Sequence, residues 1–293
     1  MFKSKKKTKK ESQSVKETVA LVHPGAVNAV VGMLSDVGCV RELNEDSGTY
    51  VQPADPDLLH DKGLLVVVAD GMGGHTAGEV ASKLAVEVVA RAYYEDGRDP
   101  RSALERAFHQ ANKAIYDAAE KDASQSGMGT TCTALVLQNG TAISAHVGDS
   151  RLYLVRDGSI YLMTEDHSAV MEMVKAGLIT LEQARHHPEK NVILRAMGSH
   201  AEVEVTTWEE PFPVRAGDRF LLCSDGLYDL VEDDEIKRIV MLSEPQTACE
   251  NLITLAKERG GHDNITVGIV GLNPEGEADA SPVPETRTAE TIQ

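Results

Sequence analysis

The sequence predicts an α+β protein whose core is an antiparallel sheet covered by helices. Two observations support this prediction: short apolar runs are joined by tight turns, and longer segments with helical features separate the pairs of runs. The chain has 293 residues, of which 42% are hydrophobic and 26% charged. That composition is typical of a globular protein with a sizeable core, and it excludes a fibrous or wholly disordered chain.

Six short runs of apolar and β-branched residues predict strands. They are Leu64–Ala69, Thr131–Leu137, Ala142–Val147, Arg151–Val155, Arg219–Cys223 and Ile265–Val270. Asn139-Gly140 lies between the second and third runs and predicts a hairpin, because this dipeptide favours the tight turn that joins antiparallel strands. Asp157-Gly158 predicts a second turn, which leads into a further strand at Ile160–Met163. The sheet is therefore expected to be antiparallel.

Four segments predict helices, either from apolar residues at helical spacing or from residues that start and stop helices. They are Ala77–Tyr94, Arg101–Lys121, Leu181–Arg185 and Gln246–Arg259. Asp99-Pro100 supplies a cap and a first-turn proline for the second of them. Thr180 and Gln183 match a capping box before the third, and Gly260-Gly261 ends the fourth.

Composition divides the chain into a body and two tails. Seven lysines and two glutamates lie in the first twenty residues, and we expect a basic, disordered leader over residues 1–27. The alternative is that this leader attaches to an anionic membrane surface. Residues 28–271 form one continuous globular domain, without repeats or a long linker. Residues 272–293 are rich in Pro, Glu, Thr and Ala, which is typical of a disordered tail.

The net charge of the chain limits its partners. It is −17 overall, and since the first twenty residues contribute +5, the remainder carries −22. A body this acidic repels polyanions, so a nucleic-acid-binding protein is not expected. The four cysteines are far apart and form no C-x-x-C pair, and no apolar run is long enough to span a bilayer. We expect a cytoplasmic protein with reduced, mostly buried thiols.

Several predicted strands end at an aspartate beside a glycine. The pairs are Asp70-Gly71, Gly148-Asp149 and Asp225-Gly226, while Asp263 precedes the last predicted strand. Four aspartates that converge at one edge of a sheet require compensating positive charge. Oxygen ligands of this kind suit Mg²⁺, Mn²⁺ or Ca²⁺ better than zinc or copper. For the nearby His146, His167 and His262 we favour roles in packing, or in supporting the ligands, over direct metal ligation.

A second charged segment lies upstream, at Arg41–Asp46. A guanidinium such as that of Arg41 can bind a phosphate with two parallel hydrogen bonds. Glu45 and Asp46 would add two more acidic groups to the centre. Taken without the rest of the chain, this segment fits a solvated charged loop equally well.

Taken together and in order, these motifs resemble the metal-dependent protein phosphatases of the 2C type, in their bacterial form. The resemblance covers the chain from Leu34 to Gly271. The motifs are Gly38-Cys39-Val40-Arg41, Asn44-Glu45-Asp46, Ala69-Asp70-Gly71-Met72-Gly73-Gly74-His75, Gly129-Thr130-Thr131, Gly148-Asp149-Ser150-Arg151, Asp166-His167-Ser168, Ser224-Asp225-Gly226 and His262-Asp263-Asn264-Ile265-Thr266.

The resemblance implies a central β-sandwich flanked by helices on both sides, with two Mn²⁺ or Mg²⁺ ions at one end. By that analogy, Asp70 bridges both ions. Asp225 and Asp263 complete the coordination of one ion. The Gly71 carbonyl and Glu45, partly through water, serve the other.

Further roles follow from the same resemblance. Asp149 and Asp225 would hold the third ion of bacterial members, and Asp46 would have a supporting role. The implied reaction is attack on the phosphoryl group by a water or hydroxide that the ions activate. The catalytic residues are then Asp70, Asp225 and Arg41, the last of which holds the substrate phosphate. No serine nucleophile is implied.

The sequence departs from the family's pattern at one position. Eukaryotic members have a histidine after the first Asp-Gly, proposed to protonate the leaving alcohol, and this chain has Met72 there. His75 is nearby but need not point to the same place, so the general acid is unassigned, with metal-bound water slightly favoured. Residues 168–195 match the family's helical flap insertion, which is expected to tune substrate access.

The resemblance also implies the substrates: serine/threonine-phosphorylated proteins, which are targets of a partner kinase. We expect the enzyme to be a monomer. One alternative is a dinucleotide-binding protein, since Gly71-Met72-Gly73-Gly74 follows a predicted strand. That alternative fails because Thr76 stands where the third glycine is needed and Asp70 would repel phosphate. A second alternative is an inactive relative that only binds phosphoproteins, but the complete acidic set favours an active enzyme.

Overall fold

Two antiparallel sheets lie face to face at the centre of the molecule, and helices cover the outer face of each. The structure is a computed structural model that describes residues 18–22, 27–73 and 77–274. This architecture confirms the predicted α+β fold and the β-sandwich that the family resemblance implied.

The strands in the described part of the chain are β1 Thr18–Val22, β2 Val27–Asp36, β3 Asp46–Val51, β4 Leu64–Met72, β5 Gly129–Thr130, β6 Cys132–Gln138, β7 Thr141–Val147, β8 Arg151–Arg156, β9 Ser159–Leu162, β10 Thr206–Thr207, β11 Phe212–Pro213, β12 Arg219–Cys223 and β13 Ile265–Pro274. The first sheet has the strand order β1-β2-β13-β12-β8-β9. The second has the order β10-β7-β6-β4-β3, with β11 beside β7 and β5 beside β4.

The helices cover the sheets in pairs: α2 and α3 pack on the second sheet, and α7 and α8 on the first. They are α1 Pro56–Lys62, α2 Ala77–Glu95, α3 Pro100–Lys121, α4 Ala169–Lys175, α5 Leu181–Arg185, α6 Asp225–Tyr228, α7 Asp233–Leu242 and α8 Pro245–Glu258. Asp99 caps α3 as predicted, and Thr180 and Gln183 form the predicted capping box of α5. No helix in the described ranges is long and apolar enough to cross a membrane.

Strand β4 shows why the core has three layers. Its side chains alternate, so Leu64, Val66 and Val68 enter the layer between the two sheets. Leu65, Val67 and Ala69 point the other way, into the layer beneath α2 and α3. A strand buried on both faces is apolar at every position, which is the pattern of this run.

Both predicted hairpin turns are confirmed. Asn139 and Gly140 have φ values of 48° and 75°, and they join β6 to β7. Asp157 and Gly158 have φ values of 52° and 76°, and they join β8 to β9. Two successive residues with positive φ give the turn whose twist matches that of an antiparallel pair.

The predicted limits of the globular domain differ from the structure at both ends. Strand β1 lies inside the predicted leader, and its backbone pairs with β2 from Thr18↔Val31 to Val22↔Val27. At the other end, β13 continues three residues past the predicted limit, to Pro274, because it pairs with β2 along its whole length. Residues 1–17 and 23–26 of the predicted leader and residues 275–293 of the predicted tail lie outside the described residues.

Candidate metal centre

Asp70 and Asp46 lie directly opposite each other on neighbouring strands of the second sheet. Asp70 is near the end of β4, Asp46 is the first residue of β3, and the two are register partners. Like charges directly opposite each other destabilise a sheet. This pair therefore forms a concentrated negative charge at one end of the sandwich.

The first sheet brings two further aspartates to the same end. Asp225 follows β12, Asp263 precedes β13, and these two strands pair with each other. A hydrogen bond links the two sheets here, because the Ser224 hydroxyl donates to Asp46 Oδ2 at 2.7 Å. The same hydroxyl accepts the Thr266 N–H at 2.9 Å. The acidic residues of the two layers are thus held side by side.

Glu45 is fixed by its backbone and by the close packing of two glycines. Its N–H donates to Asn264 Oδ1 at 2.8 Å, and its carbonyl accepts the Gly71 N–H at 3.1 Å. A Cβ atom on Gly78, in the first turn of α2, would lie 2.5 Å from Glu45 Oε1. A Cβ atom on Gly71 would lie 2.1 Å from the Gly78 carbonyl oxygen. Only glycines allow these three segments to approach so closely.

Asp149 is buried in the turn between β7 and β8, where the chain passes from the second sheet to the first. Its carbonyl accepts a hydrogen bond from the Tyr228 hydroxyl at 3.1 Å. Gly148 before it has a φ of 107°, and a Cβ atom there would lie 2.6 Å from Thr131 Cβ. The turn therefore requires glycine and holds Asp149 in one place.

The ionisation of these carboxyl groups is strongly disfavoured. Burial, followed by repulsion from Asp46, Asp225, Asp149 and Asp263, raises the pKa of Asp70 well above its usual range. Burial and then the charge of Asp149 do the same to the pKa of Asp225. Burial first, with neighbouring charges, raises the pKa of Asp149 to about 7 and that of Asp46 to about 6. Such a cluster requires a cation to remain fully ionised at neutral pH.

The residues present fit divalent metal ions. Glu45 Oε1 and Asp225 Oδ1 are buried, and neither has a hydrogen-bond partner in the part of the chain that the structure describes. Buried oxygens without donors are rare in folded proteins and point to a ligand. Over the described ranges, however, no three acidic, histidine or cysteine side chains already surround a common point. The site is a converging acidic set whose oxygen donors suit Mn²⁺ or Mg²⁺.

The histidines near the centre bond to the protein body. His146 Nδ1 lies 2.8 Å from Thr133 Oγ1, and His167 Nδ1 accepts the Gly148 N–H at 3.1 Å. Burial lowers the pKa of both imidazoles to about 4, so both are neutral at physiological pH. These contacts agree with the predicted packing role. His262 is exposed.

Arg41 reaches the acidic centre from the loop after β2. Its Nη2 lies 2.8 Å from Asp263 Oδ2, and its side chain is 49% exposed. The structure therefore places a solvent-accessible guanidinium beside a candidate metal ligand. Met72 continues β4 past Gly71, while His75, the other residue considered as general acid, lies outside the described residues.

Residues 168–195, for which the family resemblance implied a helical flap, contain α4 and α5, and this segment is called the flap below. It contacts the body near Asp225. Lys190 pairs with Asp229, which follows Asp225 by one helical turn, and Arg185 Nη2 lies 3.3 Å from Asp233. The flap therefore packs beside the acidic centre.

Two residues that shape the site were not identified as such from the sequence. Gly78 gives Glu45 its place, but a glycine in a predicted helix carries no local sign of that contact. Asn264 is more accessible to sequence reasoning, since it follows Asp263 directly. Besides accepting the Glu45 N–H, its Nδ2 donates to the carbonyls of Val37 and Leu43, at 3.0 and 2.9 Å.

Comparison with known proteins places this geometry in a family context. A family model described as protein phosphatase 2C matches residues 57–254. The serine/threonine phosphatase stp of Listeria innocua is 40% identical over 247 residues, which are 82% of this chain and 94% of that protein.

Solved structures of serine/threonine phosphatases are also similar to this chain. The serine/threonine phosphatase PstP/Ppp of Mycobacterium tuberculosis has a TM-score of 0.75 at 40% identity, and the match covers 84% of this chain and 99% of that one. A catalytic domain of PstP in complex with two manganese ions has a TM-score of 0.72 at 37% identity, and the match covers 85% of this chain and 100% of that one.

Proposed function

The chain belongs to the protein phosphatase 2C family and is a metal-dependent protein serine/threonine phosphatase, and we propose which of its residues carry that activity. In this proposal, Asp70 would be shared by two Mn²⁺ or Mg²⁺ ions. Asp225 and Asp263 would help to hold one ion, and Glu45 with the Gly71 carbonyl would help to hold the other.

One observation carries the assignment: two buried oxygens, Glu45 Oε1 and Asp225 Oδ1, have no donor within the described residues. Glu45 directly precedes β3 of the second sheet, and Asp225 lies just after β12 of the first sheet. Divalent cations would satisfy these oxygens and neutralise the charge that raises the pKa of Asp70 and Asp225. The solved PstP catalytic domain is in complex with two manganese ions, which supports the number and kind of ions proposed.

We assign a third ion to Asp149 together with Asp225. In support, Asp225 begins α6, and Tyr228 of that helix donates its hydroxyl to the Asp149 carbonyl at 3.1 Å. The charge of Asp149 is also, after burial, the first electrostatic cause of the raised Asp225 pKa. Asp46 has a supporting role, because its Oδ2 already accepts the Ser224 hydroxyl at 2.7 Å and it stands opposite Asp70.

In the proposed mechanism, the ions and Arg41 have different roles. When bound, the ions supply a water of lowered pKa and neutralise the phosphoryl oxygens. Arg41 is half-exposed, and its planar guanidinium can donate two parallel hydrogen bonds to the substrate phosphate. These bonds strengthen as negative charge develops on the phosphoryl oxygens, so Arg41 favours the transition state. The carboxylates hold their positions throughout, and no covalent phospho-enzyme is needed.

The finer partners are proposals as well. The substrates are serine- and threonine-phosphorylated proteins, and since a kinase must form those esters, a cognate kinase supplies them. We propose a monomer, because helices cover both outer faces of the sandwich. A cytoplasmic location is supported by the free cysteines, three of which are buried as thiols. A membrane contact through the basic leader remains a secondary proposal, drawn from its lysines.

The test removes and restores the metal. Protein stripped with excess chelator should lose turnover of a phosphothreonine peptide and regain it on addition of Mn²⁺ or Mg²⁺. Asp70→Asn should lose both the turnover and the strongest Mn²⁺ binding measured by calorimetry. Full activity in excess chelator, or an Asp70→Asn variant with wild-type rates, would overturn the assignment.

A further inference from the structure

The flap is joined to the body at a short stalk, formed by residues 167–169 and 192–194. The Ala169 N–H donates to the Val192 carbonyl at 2.9 Å, and the Leu194 N–H donates to the His167 carbonyl at 2.8 Å. Ser168 and Ile193 form an isolated bridge between these bonds. The two chains of the flap therefore leave the body as one paired unit, and His167 stands at its base.

His167 connects this stalk to the turn that carries Asp149. Its backbone N–H donates to the Gly148 carbonyl at 2.8 Å, and the Gly148 N–H donates back to His167 Nδ1 at 3.1 Å. Since Nδ1 accepts a hydrogen bond, the ring proton resides on Nε2, which lies 3.0 Å from Thr206 Oγ1. The backbone N–H and the imidazole of His167 thus hold the carbonyl and the N–H of Gly148, the residue directly before Asp149.

The residue before His167 holds the other side of the same turn. Asp166 accepts hydrogen bonds from Arg151 Nε, at 3.0 Å to Oδ1 and 3.2 Å to Oδ2, and from Arg151 Nη2, at 2.7 Å to Oδ2. The Tyr228 ring lies 3.7 Å from the centre of that guanidinium, and its hydroxyl donates to the Asp149 carbonyl. Asp149 therefore has a flap-base contact on the residue before it and another on the second residue after it.

We propose that Asp166 and His167 are positioning residues for Asp149, so that the flap base and this candidate ligand move as one unit. The inference rests on the proposed metal role of Asp149. Residues that orient a metal ligand typically change metal affinity by roughly 10–100-fold when they are removed. Displacement of the flap would accordingly change the affinity for the ion that Asp149 holds.

Strand β8 provides a matched control at its other end. Arg151 is its first residue and Arg156 its last, and Arg156 makes an equivalent paired contact with Asp218 at 2.7 and 2.6 Å. Phe212 lies 4.8 Å from the Arg156 guanidinium, as Tyr228 lies over Arg151. Asp218 is buried like Asp166 but is remote from Asp149 in the fold. If the Arg151–Asp166 pair served stability alone, its substitution should have the same effects as substitution of the Arg156–Asp218 pair.

The experiment compares Mn²⁺ calorimetry and amide hydrogen exchange in the full chain. Asp166→Asn should weaken the weakest Mn²⁺ site by about tenfold or more and speed exchange of the Ala169 and Leu194 amides. Asp218→Asn should lower the melting temperature but leave both readouts at wild-type values. If both variants lowered the melting temperature equally and left Mn²⁺ affinity and amide exchange at wild-type values, the proposal would be overturned.

Two substitutions of His167 give a second, independent arm. In His167→Asn the side-chain oxygen stands near the place of Nδ1 and can accept the Gly148 N–H, whereas His167→Gln reaches the place of Nε2 instead. Asparagine should therefore preserve Mn²⁺ affinity and glutamine should not. Identical isotherms for the two variants would overturn the proposal, even if Asp166→Asn failed to fold.

Asp149→Asn separates this inference from the site assignment. If Asp149→Asn binds Mn²⁺ as the wild type does, the assignment of Asp149 as a ligand fails, and the inference fails with it. If Asp149→Asn weakens the site while Asp166→Asn and His167→Gln do not, only the positioning role is overturned.

Discussion

Arg41 Nη2 lies 2.8 Å from Asp263 Oδ2, so the residue proposed to hold the substrate phosphate also contacts a proposed metal ligand. Asp263 heads the causes that raise the Arg41 pKa, which keeps the guanidinium charged. In the absence of substrate, Arg41 thus supplies part of the positive charge that the acidic centre needs. The contact ties phosphate binding and metal binding to one carboxylate.

We expect Arg41→Ala to lower kcat/KM by roughly 10–100-fold, because a hydrogen bond to a charged group contributes about 1.5–3 kcal/mol. Mn²⁺ affinity should not weaken, since Asp263 loses only a competing cation. Lysine should rescue in part, because a point charge cannot form two parallel bonds. The measurements are steady-state kinetics on a phosphothreonine peptide and Mn²⁺ calorimetry.

Arg98 offers the matched control for Arg41. It is 48% exposed and pairs with Asp96 at 3.0 Å, away from the acidic centre. Arg98→Ala should leave both kinetics and metal binding unchanged. Weaker Mn²⁺ binding in Arg41→Ala, with unaltered kinetics at saturating Mn²⁺, would contradict the phosphate-binding role.

Asp70→Asn and Asp225→Asn should lower kcat by several orders of magnitude and yet stabilise the metal-free fold. Both carboxyl groups have pKa values raised first by burial and then by like charges. A neutral amide therefore removes the unfavourable free energy of a buried carboxylate beside other carboxylates. Melting in chelator, paired with kinetics at saturating Mn²⁺, measures the two effects. Asp117→Asn, on the exposed face of α3, should change neither. Wild-type rates in either variant would refute the ligand assignment.

The stability of the metal-free protein should depend on pH through Asp149. Its folded pKa of about 7 lies above the ordinary value, so the folded state binds this proton more tightly than the unfolded state does. Stability from this group is present at low pH and is lost as the pH rises from about 4 to about 7, by up to about 1.4 kcal/mol per pH unit. Asp149→Asn lacks this dependence.

The quantity to measure is the difference in the free energy of unfolding between the wild type and Asp149→Asn, both in chelator. Buried His146, with its pKa lowered to about 4, has the opposite pH dependence, but it is common to both proteins and cancels. The stability of the variant relative to the wild type should increase as the pH rises, and this difference should reach a plateau above about pH 8. A difference that is flat across this window would contradict the charge repulsion inferred here.

Gly78→Ala should weaken metal binding without unfolding α2. The added methyl would lie 2.5 Å from Glu45 Oε1, so the carboxylate must move. Alanine ordinarily favours a helix over glycine by about 1 kcal/mol, so a loss of function cannot be ascribed to helix propensity. Gly97→Ala is the control, since a Cβ atom there meets no atom within 4 Å. Equal Mn²⁺ isotherms for both variants would show that Glu45 is not a ligand.

Elements whose determinants are local were predictable from the sequence. Strand Arg219–Cys223 and helix Leu181–Arg185 have the predicted bounds, because an apolar run and a capping box are complete within a few residues. Strand β2 was not predicted, and Gly32 in its middle explains why. A Cβ atom on Gly32 would lie 2.3 Å from the Gln246 backbone nitrogen, so this glycine permits close packing of α8. Such a contact between distant segments has no local signature.

The same division applies to the candidate site. Its carboxylates were identifiable because a strand end beside a glycine, such as Asp70-Gly71, is a pattern within the sequence. Their partners were not, because the Asp263 contact of Arg41 and the Ser224 contact of Asp46 join residues more than 170 positions apart. Only the fold brings those pairs together.

The acidic centre draws on both leaves of the sandwich, since Asp46 and Asp70 belong to one sheet and Asp225 and Asp263 lie at strand ends of the other. In the proposed centre, bound cations would join the two sheets, and loss of the cations would leave like charges that repel each other across them. The concentration of the metal ion would then determine the stability of the enzyme as well as its turnover rate, because ligands that bind only the native state stabilise it. Proteases that cleave transiently opened chains would remove unloaded molecules first, so the pool of enzyme would follow the manganese available to it.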